Sequence, residues 1–383
     1  MLVVVPYFPP DPRSGGAEMF ALALSKGLAM DHGWNVTIVT TAPEQPIGRE
    51  LIPPCISIHR LSYKFKLSNS PISVEWFRKV REIADAVYPD VVNIHMPVPG
   101  LGDIASRAVG NRPILVYYHF GSMRKDSLLL DPVICLYESC LLPICLRRAK
   151  WIACGSSYVK EGILRRFRAK TCIVPPGVDT ERFRPAAERV TDPRVLYVGS
   201  LNRSDRHKRF SDLLEACRIL LADIPELRLI VVGDGDGRRA YEEMASEMGI
   251  LRAVDFRGRM EGDALAEVYR QAAVLAVPSM RETFGMVITE AMASSLPTVV
   301  VNGGGAPEVV DDLTNGLLVP PRNPGAMANA LKAILADPEW AAVLGRAGRD
   351  KVVQQLEWPR QVAAMEKVLT AAANARNDGG LVC

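Results

Sequence analysis

Two carboxylates, Glu282 and Glu290, bracket a glycine in the stretch Ser279-Met280-Arg281-Glu282-Thr283-Phe284-Gly285-Met286-Val287-Ile288-Thr289-Glu290-Ala291-Met292-Ala293. The apolar run Val274 to Val277 ahead of it reads as a buried strand, and from Phe284 onward apolar residues recur at helical spacing. The pattern is a strand, a tight turn and a helix. Glu282 then lies in the turn and Glu290 about two helical turns in, roughly 10 Å along the axis at 1.5 Å per residue. At that separation the two cannot share one proton. They can grip two ends of a long polar ligand whose anionic middle rests on the unpaired N–H groups and positive dipole of the helix N-terminus. A diphosphate flanked by two sugars has that layout.

Counter-charge lies elsewhere in the chain. Gly199-Ser200-Leu201-Asn202-Arg203-Ser204-Asp205-Arg206-His207-Lys208-Arg209 follows the apolar run Val195 to Val198, and five of its residues are cationic or imidazole. Ligands of open parallel sheets sit at the carboxyl ends of strands, where this loop falls. The same rule marks Gly15 and Gly16, which close the loop Phe8 to Gly16 after the strand Leu2 to Tyr7. Glycine there lets backbone N–H groups approach a phosphate. His119 follows the run Ile114 to Tyr118, and His95 ends the run Val91 to His95. Gly233-Asp234-Gly235-Asp236-Gly237 contains an Asp-x-Asp pair of metal-binding type but lacks the full G-x-G-x-x-G of a dinucleotide loop. It reads as a structural turn, and no obligatory metal or other cofactor is expected.

The elements that must position these groups alternate, strand-like run with amphipathic helix, from end to end. That is the pattern of parallel sheets with helices on both faces. The first part has strands at Leu2 to Tyr7, Asn35 to Thr40, Ile56 to His59, Val91 to His95, Ile114 to Tyr118, Trp151 to Cys154 and Cys172 to Val174, with a helix over Ala17 to Asp31. Pro175-Pro176-Gly177-Val178-Asp179-Thr180 is a turn-rich connector without helical period. The second part has strands at Val195 to Val198, Arg228 to Val232 and Val254 to Phe256, helices at Phe210 to Leu221 and Arg238 to Met248, and the strand-turn-helix around Glu282. Trp358 to Ala373 reads as the final helix.

A length of 383 residues is comfortable for two cores, and 48% hydrophobic with 23% charged residues is ordinary for an α/β protein. No apolar run approaches the roughly 20 residues of a membrane span, since Leu128 to Leu146 is broken by Asp131, Pro132, Glu138 and Pro143. The opening Leu2-Val3-Val4-Val5 is too short for a signal peptide. The eight cysteines show no C-x-x-C pair and read as reduced core residues of a cytoplasmic protein. Net charge is only +3, but basic residues crowd the segment from Arg147 to Lys170. That patch suits either a solvated helix face or docking on an anionic membrane.

The wording P-S-x-x-E-T-F-G-x-x-x-x-E-A-M-A resembles the signature of retaining glycosyltransferases of the GT-B fold, family 4. The connector resembles the family's P-x-G-V-D-x-x-x-F-x-P crossing, and Gly303-Gly304-Gly305-Ala306-Pro307-Glu308 its G-G-x-x-E element. The resemblance implies two Rossmann-like domains facing an inter-domain cleft. Residues 1–176 would form an acceptor-binding domain on which a C-terminal helix, 358–376, packs back, and residues 177–357 would bind the nucleotide sugar. It implies that Glu282 contacts donor-sugar hydroxyls and that amides at Phe284, Gly285 and Met286 meet sugar and phosphates. Glu290 would hold the ribose, and Gly258, Arg259 and Met260 would border the nucleobase. Gly15 and Gly16 would touch the diphosphate and His119 would face the sugar. Lys208 matches the family's leaving-group lysine. The usual Arg is Ser200 here, so its role falls to Arg203 by the G-x-L-x-R spacing, or to Arg206.

The reaction so implied moves a hexose, with retention, from a GDP- or UDP-linked sugar to a glycan, lipid or small-molecule hydroxyl. The loop from Arg203 to Lys208 leans toward GDP-mannose. Nucleic acid is not among the expected partners. The expected location is the cytoplasm, with a peripheral place at the inner membrane face if the basic patch docks there. An epimerase or phosphorylase on the same scaffold, or a non-catalytic nucleotide-sugar-binding subunit, are the rival readings.

Overall fold

The computed structural model describes residues 1–11, 15–43, 49–52, 55–67, 70–121, 123, 130–188, 190 and 192–374. The chain forms two compact units. Met1–Gly177 joins with the helix Trp358–Asn374 in one, and Val178–Glu357 makes the other.

The first unit is built on β1 (Leu2–Val4), β2 (Val36–Ala42), β3 (Arg49–Ile52), β4 (Ile56–Ser62), β5 (Phe65–Leu67), β6 (Ser70–Ile72), β7 (Val92–Met96), β8 (Ile114–Tyr118), β9 (Trp151–Cys154) and β10 (Thr171–Ile173). Its main sheet runs β10-β9-β8-β7-β1-β2-β4-β3, parallel except for β3 against β4. Central strands are buried along their whole length, which is why they read as unbroken apolar runs. β1 stops at Val4, short of the expected Tyr7, because Pro6 has no N–H to extend a ladder. The short β3, β5 and β6 carried no clear sequence pattern. Strand order reverses between β1 and β7, so the loops after β1, β7 and β8 gather near the switch point.

One face of this sheet is covered by Trp76, Val80, Ala84, Leu101 and their neighbours, the other by Phe20, Leu24 and Leu28 of the helix Gly16–Asp31. Val362, Met365 and Leu369 of the helix Trp358–Asn374 complete the second face. The two helices meet closely: a Cβ at Gly27 would lie 2.6 Å from a Val362 methyl. Glu366 accepts from Trp34 Nε1 at 2.9 Å and lies 2.7 Å from His32 Nδ1.

Two composition-based expectations are revised. Cys55 and Cys140 are exposed, so the cysteines are not uniformly core residues, although Cys145, Cys154 and Cys217 are buried thiols. Within the basic patch, Lys170 Nζ donates to the Arg147 and Ala149 carbonyls at 3.1 and 2.6 Å, and Arg148 to those of Ser106 and Gly110. These two cations cap local backbone. Among the described residues no helix is long and apolar enough to cross a membrane. The tail from Asn377 to Cys383 lies outside the described residues.

The second unit contains β11 (Arg194–Val198), β12 (Arg228–Val232), β13 (Val254–Gly258), β14 (Val274–Val277), β15 (Thr298–Val301) and β16 (Leu317–Val319), all parallel, in the order β13-β12-β11-β14-β15-β16. This is the doubly wound dinucleotide-fold order, with its switch point between β11 and β14. The loops leaving those two strands are therefore neighbours, and they carry Lys208 and Glu282.

Candidate functional site

The loop after β11 rests on the glycine turn after β12. Leu201 donates its amide to the Asp234 carbonyl, and Gly237 donates to the Leu201 carbonyl, both at 3.0 Å. A Cβ at Gly233 (φ +145) would fall 1.8 Å from the Gly199 carbonyl oxygen, and one at Gly235 (φ +159) 2.5 Å from the Asn202 amide nitrogen. Only glycine permits that approach. The aspartates of the same turn hold backbone: Asp234 Oδ1 accepts from the Gly235 amide at 2.8 Å, and Asp236 Oδ1 from the Arg203 amide at 2.7 Å. The loop closes in a 3₁₀ turn, Arg206–Lys208. Its His207 carbonyl accepts from the Met280 amide at 2.9 Å, which ties it to the segment leaving β14.

That tie brings Lys208 Nζ to 2.6 Å from Glu282 Oε1, with the carboxylate buried and the ammonium partly open. Burial alone would push the Glu282 carboxyl up. The Lys208 ammonium, aided by the Ser279 hydroxyl and His207, outweighs it and holds the group below its ordinary value. Glycines again allow the packing behind the pair. Gly305 donates its amide to the Glu282 carbonyl at 2.7 Å, and a Cβ at Gly304 (φ +63) would lie 2.1 Å from that oxygen.

The helix expected from near Phe284 begins at Met286, because Gly285 takes a left-handed conformation (φ +93) and caps Met286–Ala293. Phe284 is buried in the apolar cluster beneath. Among the described residues the amides of Phe284, Gly285 and Met286 donate to no backbone carbonyl, the usual state of a helix start open to an anion. Farther along, Glu290 Oε2 accepts from the Tyr269 hydroxyl at 2.7 Å. Burial pushes the Glu290 carboxyl up to about 7, against the lowering effect of that hydrogen bond. Tyr269 was not singled out from the sequence; it looks like one more apolar-face residue of the helix Gly262–Arg270.

With this geometry in view, likeness to known proteins becomes decisive. Residues 14–182 match the family described as Glycosyltransferase Family 4, and residues 179–351 the one described as Glycosyl transferases group 1. The chain belongs to the GT-B glycosyltransferases of family 4. EpsD of Bacillus subtilis (strain 168), named as a glycosyltransferase, is 28% identical over 325 residues, 79% of this chain and 81% of that protein. A D-inositol 3-phosphate glycosyltransferase of Geodermatophilus obscurus is 38% identical over 222 residues, 53% of this chain and 48% of that protein. The chain thus spans about half the length of the D-inositol 3-phosphate glycosyltransferases it matches. Among solved structures, sucrose-phosphate synthase from Thermosynechococcus elongatus superposes with a TM-score of 0.78 at 27% identity, over 98% of this chain and 99% of that one. Anabaena HepE, solved with UDP-glucose, gives 0.74 at 17% identity over 97% and 99%, a likeness of fold alone.

The remaining residues expected in this glycosyltransferase's site are placed unevenly. Arg203 has its amide fixed by Asp236 but an exposed side chain, and among the described residues neither it nor Arg206 forms an ion pair. Gly258 turns at φ +74 and accepts from the Gly233 amide at 2.8 Å. Arg259 pairs with Glu261, and Met260 packs on the apolar cluster. In the first unit, Pro12, Arg13 and Ser14 of the glycine loop lie outside the described residues. The Gly15 amide donates to Glu18 Oε2 at 2.8 Å, because a Glu at the third helical position reaches back to the cap. Gly16 opens the helix and is exposed. His119 follows β8, half-buried, and its Nε2 lies 2.7 Å from His95 Nδ1. The strand-end histidines noted in the sequence, His95 and His119, are thus direct neighbours.

Proposed function

We propose that the protein transfers a hexose from a nucleoside diphosphate sugar to a hydroxyl acceptor, with retention at the anomeric carbon and no obligatory metal. The second unit would bind the nucleotide sugar and the first the acceptor. The observation that carries this reading is the Lys208–Glu282 pair, 2.6 Å apart with its carboxylate buried, on the loops of the switch point that leads into a glycine-capped helix start. Departure of the nucleoside diphosphate develops negative charge on the β-phosphate. An ammonium and open amides fixed beforehand stabilise that charge without reorganising. Glu282 neutralises Lys208 while the site is empty and accepts from sugar hydroxyls when it is filled. Exposed Arg203, or Arg206 in its place, adds a second cation.

Retention is what membership of the family implies, and neither glutamate of the site suits a nucleophile on the sugar's far face. Glu282 is committed to Lys208 and sugar hydroxyls and Glu290 to the ribose, so the leaving phosphate itself deprotonates the acceptor on the near face. A GDP-linked mannose remains the favoured donor on the Arg203 to Lys208 spacing, with UDP sugars next. Thermal shift against GDP, UDP and ADP sugars, followed by the anomeric configuration of the product, tests the proposal. An inverted product refutes the retaining route, and no shift with any of them refutes the binding site.

Glu290 supplies a pH signature. Its carboxyl titrates near 7 in the empty site, and ribose hydroxyls donate best to the ionised form. Nucleotide affinity is expected to rise about tenfold from about pH 6 to about pH 8 as the carboxyl loses its proton. The nucleotide's own terminal phosphate, with a pKa near 6, adds to the slope. Calorimetry on Glu290→Gln retains that part and isolates the rest. Equal slopes in both proteins would remove Glu290 from the ribose site.

A peripheral place at an anionic membrane rests on the exposed Arg147, Arg165, Arg166 and Arg168, since Arg148 and Lys170 are engaged with backbone. Preferential flotation with anionic over neutral vesicles is expected if it holds, and equal flotation removes it.

A further inference from the structure

Asn93 and His95 lie two residues apart on β7, so both side chains point to the same sheet face. There Asn93 Nδ2 stands 3.3 Å from His95 Nε2, and His95 Nδ1 stands 2.7 Å from His119 Nε2. The two imidazole planes are 19° apart with centres separated by 5.0 Å, as in a head-on, in-plane hydrogen bond. Tyr117 and Phe20 pack on the His119 ring at 4.6 and 5.5 Å. Asn93 and His95 are buried, and burial keeps both imidazoles neutral at pH 7: it lowers His95 to about 3 and, with His95 beside it, lowers His119 well below the ordinary range.

Three neutral groups in a row leave little freedom for their protons. The Asn93 amide nitrogen can only donate, so His95 Nε2 must accept and its proton must sit on Nδ1. His95 Nδ1–H then donates to His119 Nε2, which forces the His119 proton onto Nδ1. Turning the Asn93 amide over would put its two N–H donors where Oδ1 now lies buried without a partner. That would leave two unmet donors in place of one unmet donor and one unmet acceptor, and a buried orphan N–H is the rarer of the two. Among the described residues His119 Nδ1 has no partner.

We infer that Asn93 and His95 are positioning residues that lock His119 in its Nδ1–H tautomer, so that it offers a substrate oxygen a hydrogen-bond donor and not a base. The lock itself is a property of the unliganded protein; its use in turnover rests on the function proposed above.

The test is the tautomer. Two-bond proton–nitrogen spectra of the full chain with labelled histidine, the His119 signals assigned by their loss in His119→Gln, are expected to show the neutral Nδ1–H form at pH 7. His95→Phe keeps a buried ring but removes the donor, and His119 is expected to shift toward Nε2–H. Asparagine places its amide nitrogen where His95 Nδ1 stood, so His95→Asn is expected to restore the Nδ1–H signature. Turnover with the donor identified by thermal shift is expected to fall about three- to tenfold in His95→Phe and to recover in His95→Asn, the range of one lost hydrogen bond. A wild-type His119 found as Nε2–H or as imidazolium overturns the inference, and that spectrum decides even if a variant fails to fold. An unchanged tautomer in a folded His95→Phe overturns it too. A correct tautomer combined with undiminished turnover in His119→Gln leaves the lock standing and refutes only the role of His119 in the reaction.

Discussion

Replacing Lys208 by alanine is expected to lower turnover by about 10²–10³, some 3–4 kcal/mol of barrier, the cost of removing one preorganised group from a site where charge develops. The loss belongs in kcat more than in KM, since the ammonium is already matched by Glu282 in the ground state and gains most as the β-phosphate takes on charge. A second consequence follows from the burial of Glu282. Without its cation the carboxyl meets the full push of desolvation, opposed only by the Ser279 hydroxyl and His207, so its pKa rises. Residual turnover in Lys208→Ala is then expected to climb as pH rises through the new value, a dependence the wild type lacks. Steady-state kinetics with the identified sugar nucleotide, run across pH, check both points. A kcat within about threefold of wild type would take Lys208 out of the chemistry.

Glu282→Gln is expected to be nearly as damaging, for a different reason. The variant keeps size and shape, but presents an amide where a carboxylate had paired with an ammonium and would accept from sugar hydroxyls. One hydrogen bond to a charged group corresponds to about 1.5–3 kcal/mol, so kcat/KM is expected to fall roughly 10–150-fold. Stability falls as well, by about 1–3 kcal/mol, because Lys208 loses its partner in a half-buried place. The pH sign of that contribution is fixed. The folded carboxyl titrates below its ordinary 4.5, so the stabilisation is fully present above that value and is lost as pH falls through the folded one. Thermal unfolding of wild type and Glu282→Gln is expected to converge in acid and to differ most near neutrality. Equal melting temperatures at pH 7 would mean that the pair is ornamental.

Both members of the pair were legible in the sequence, but not their contact. Lys208 and Glu282 are 74 residues apart, and what joins them is the pairing of β14 beside β11, a neighbour relation that hydrophobic period does not encode. The alternation of strands and helices was readable because buried parallel strands are apolar along their length. β1 was overextended at Pro6, which sits among apolar residues but cannot pair. Tyr269 stayed hidden because only burial turns its hydroxyl into a group that needs Glu290. Gly15 was marked by its place after a strand and by the family resemblance, neither of which shows the capping reach of Glu18 to its amide. The role of the Gly233 to Gly237 turn as a bed for the cationic loop depends on contacts with Gly199 and Asn202 that no local pattern reveals.

The helix Trp358–Asn374 completes one face of the first unit by laying Val362, Met365 and Leu369 over Phe20, Leu24 and Leu28. During synthesis, the ribosome must therefore deliver all of Val178–Glu357 before that face can be covered. At about 5–20 residues per second the wait is on the order of ten seconds or more. Over that interval the nascent amino-terminal half displays a greasy surface to the cell, which makes it a natural client for chaperones and a place where a stalled or prematurely stopped message yields an aggregating product.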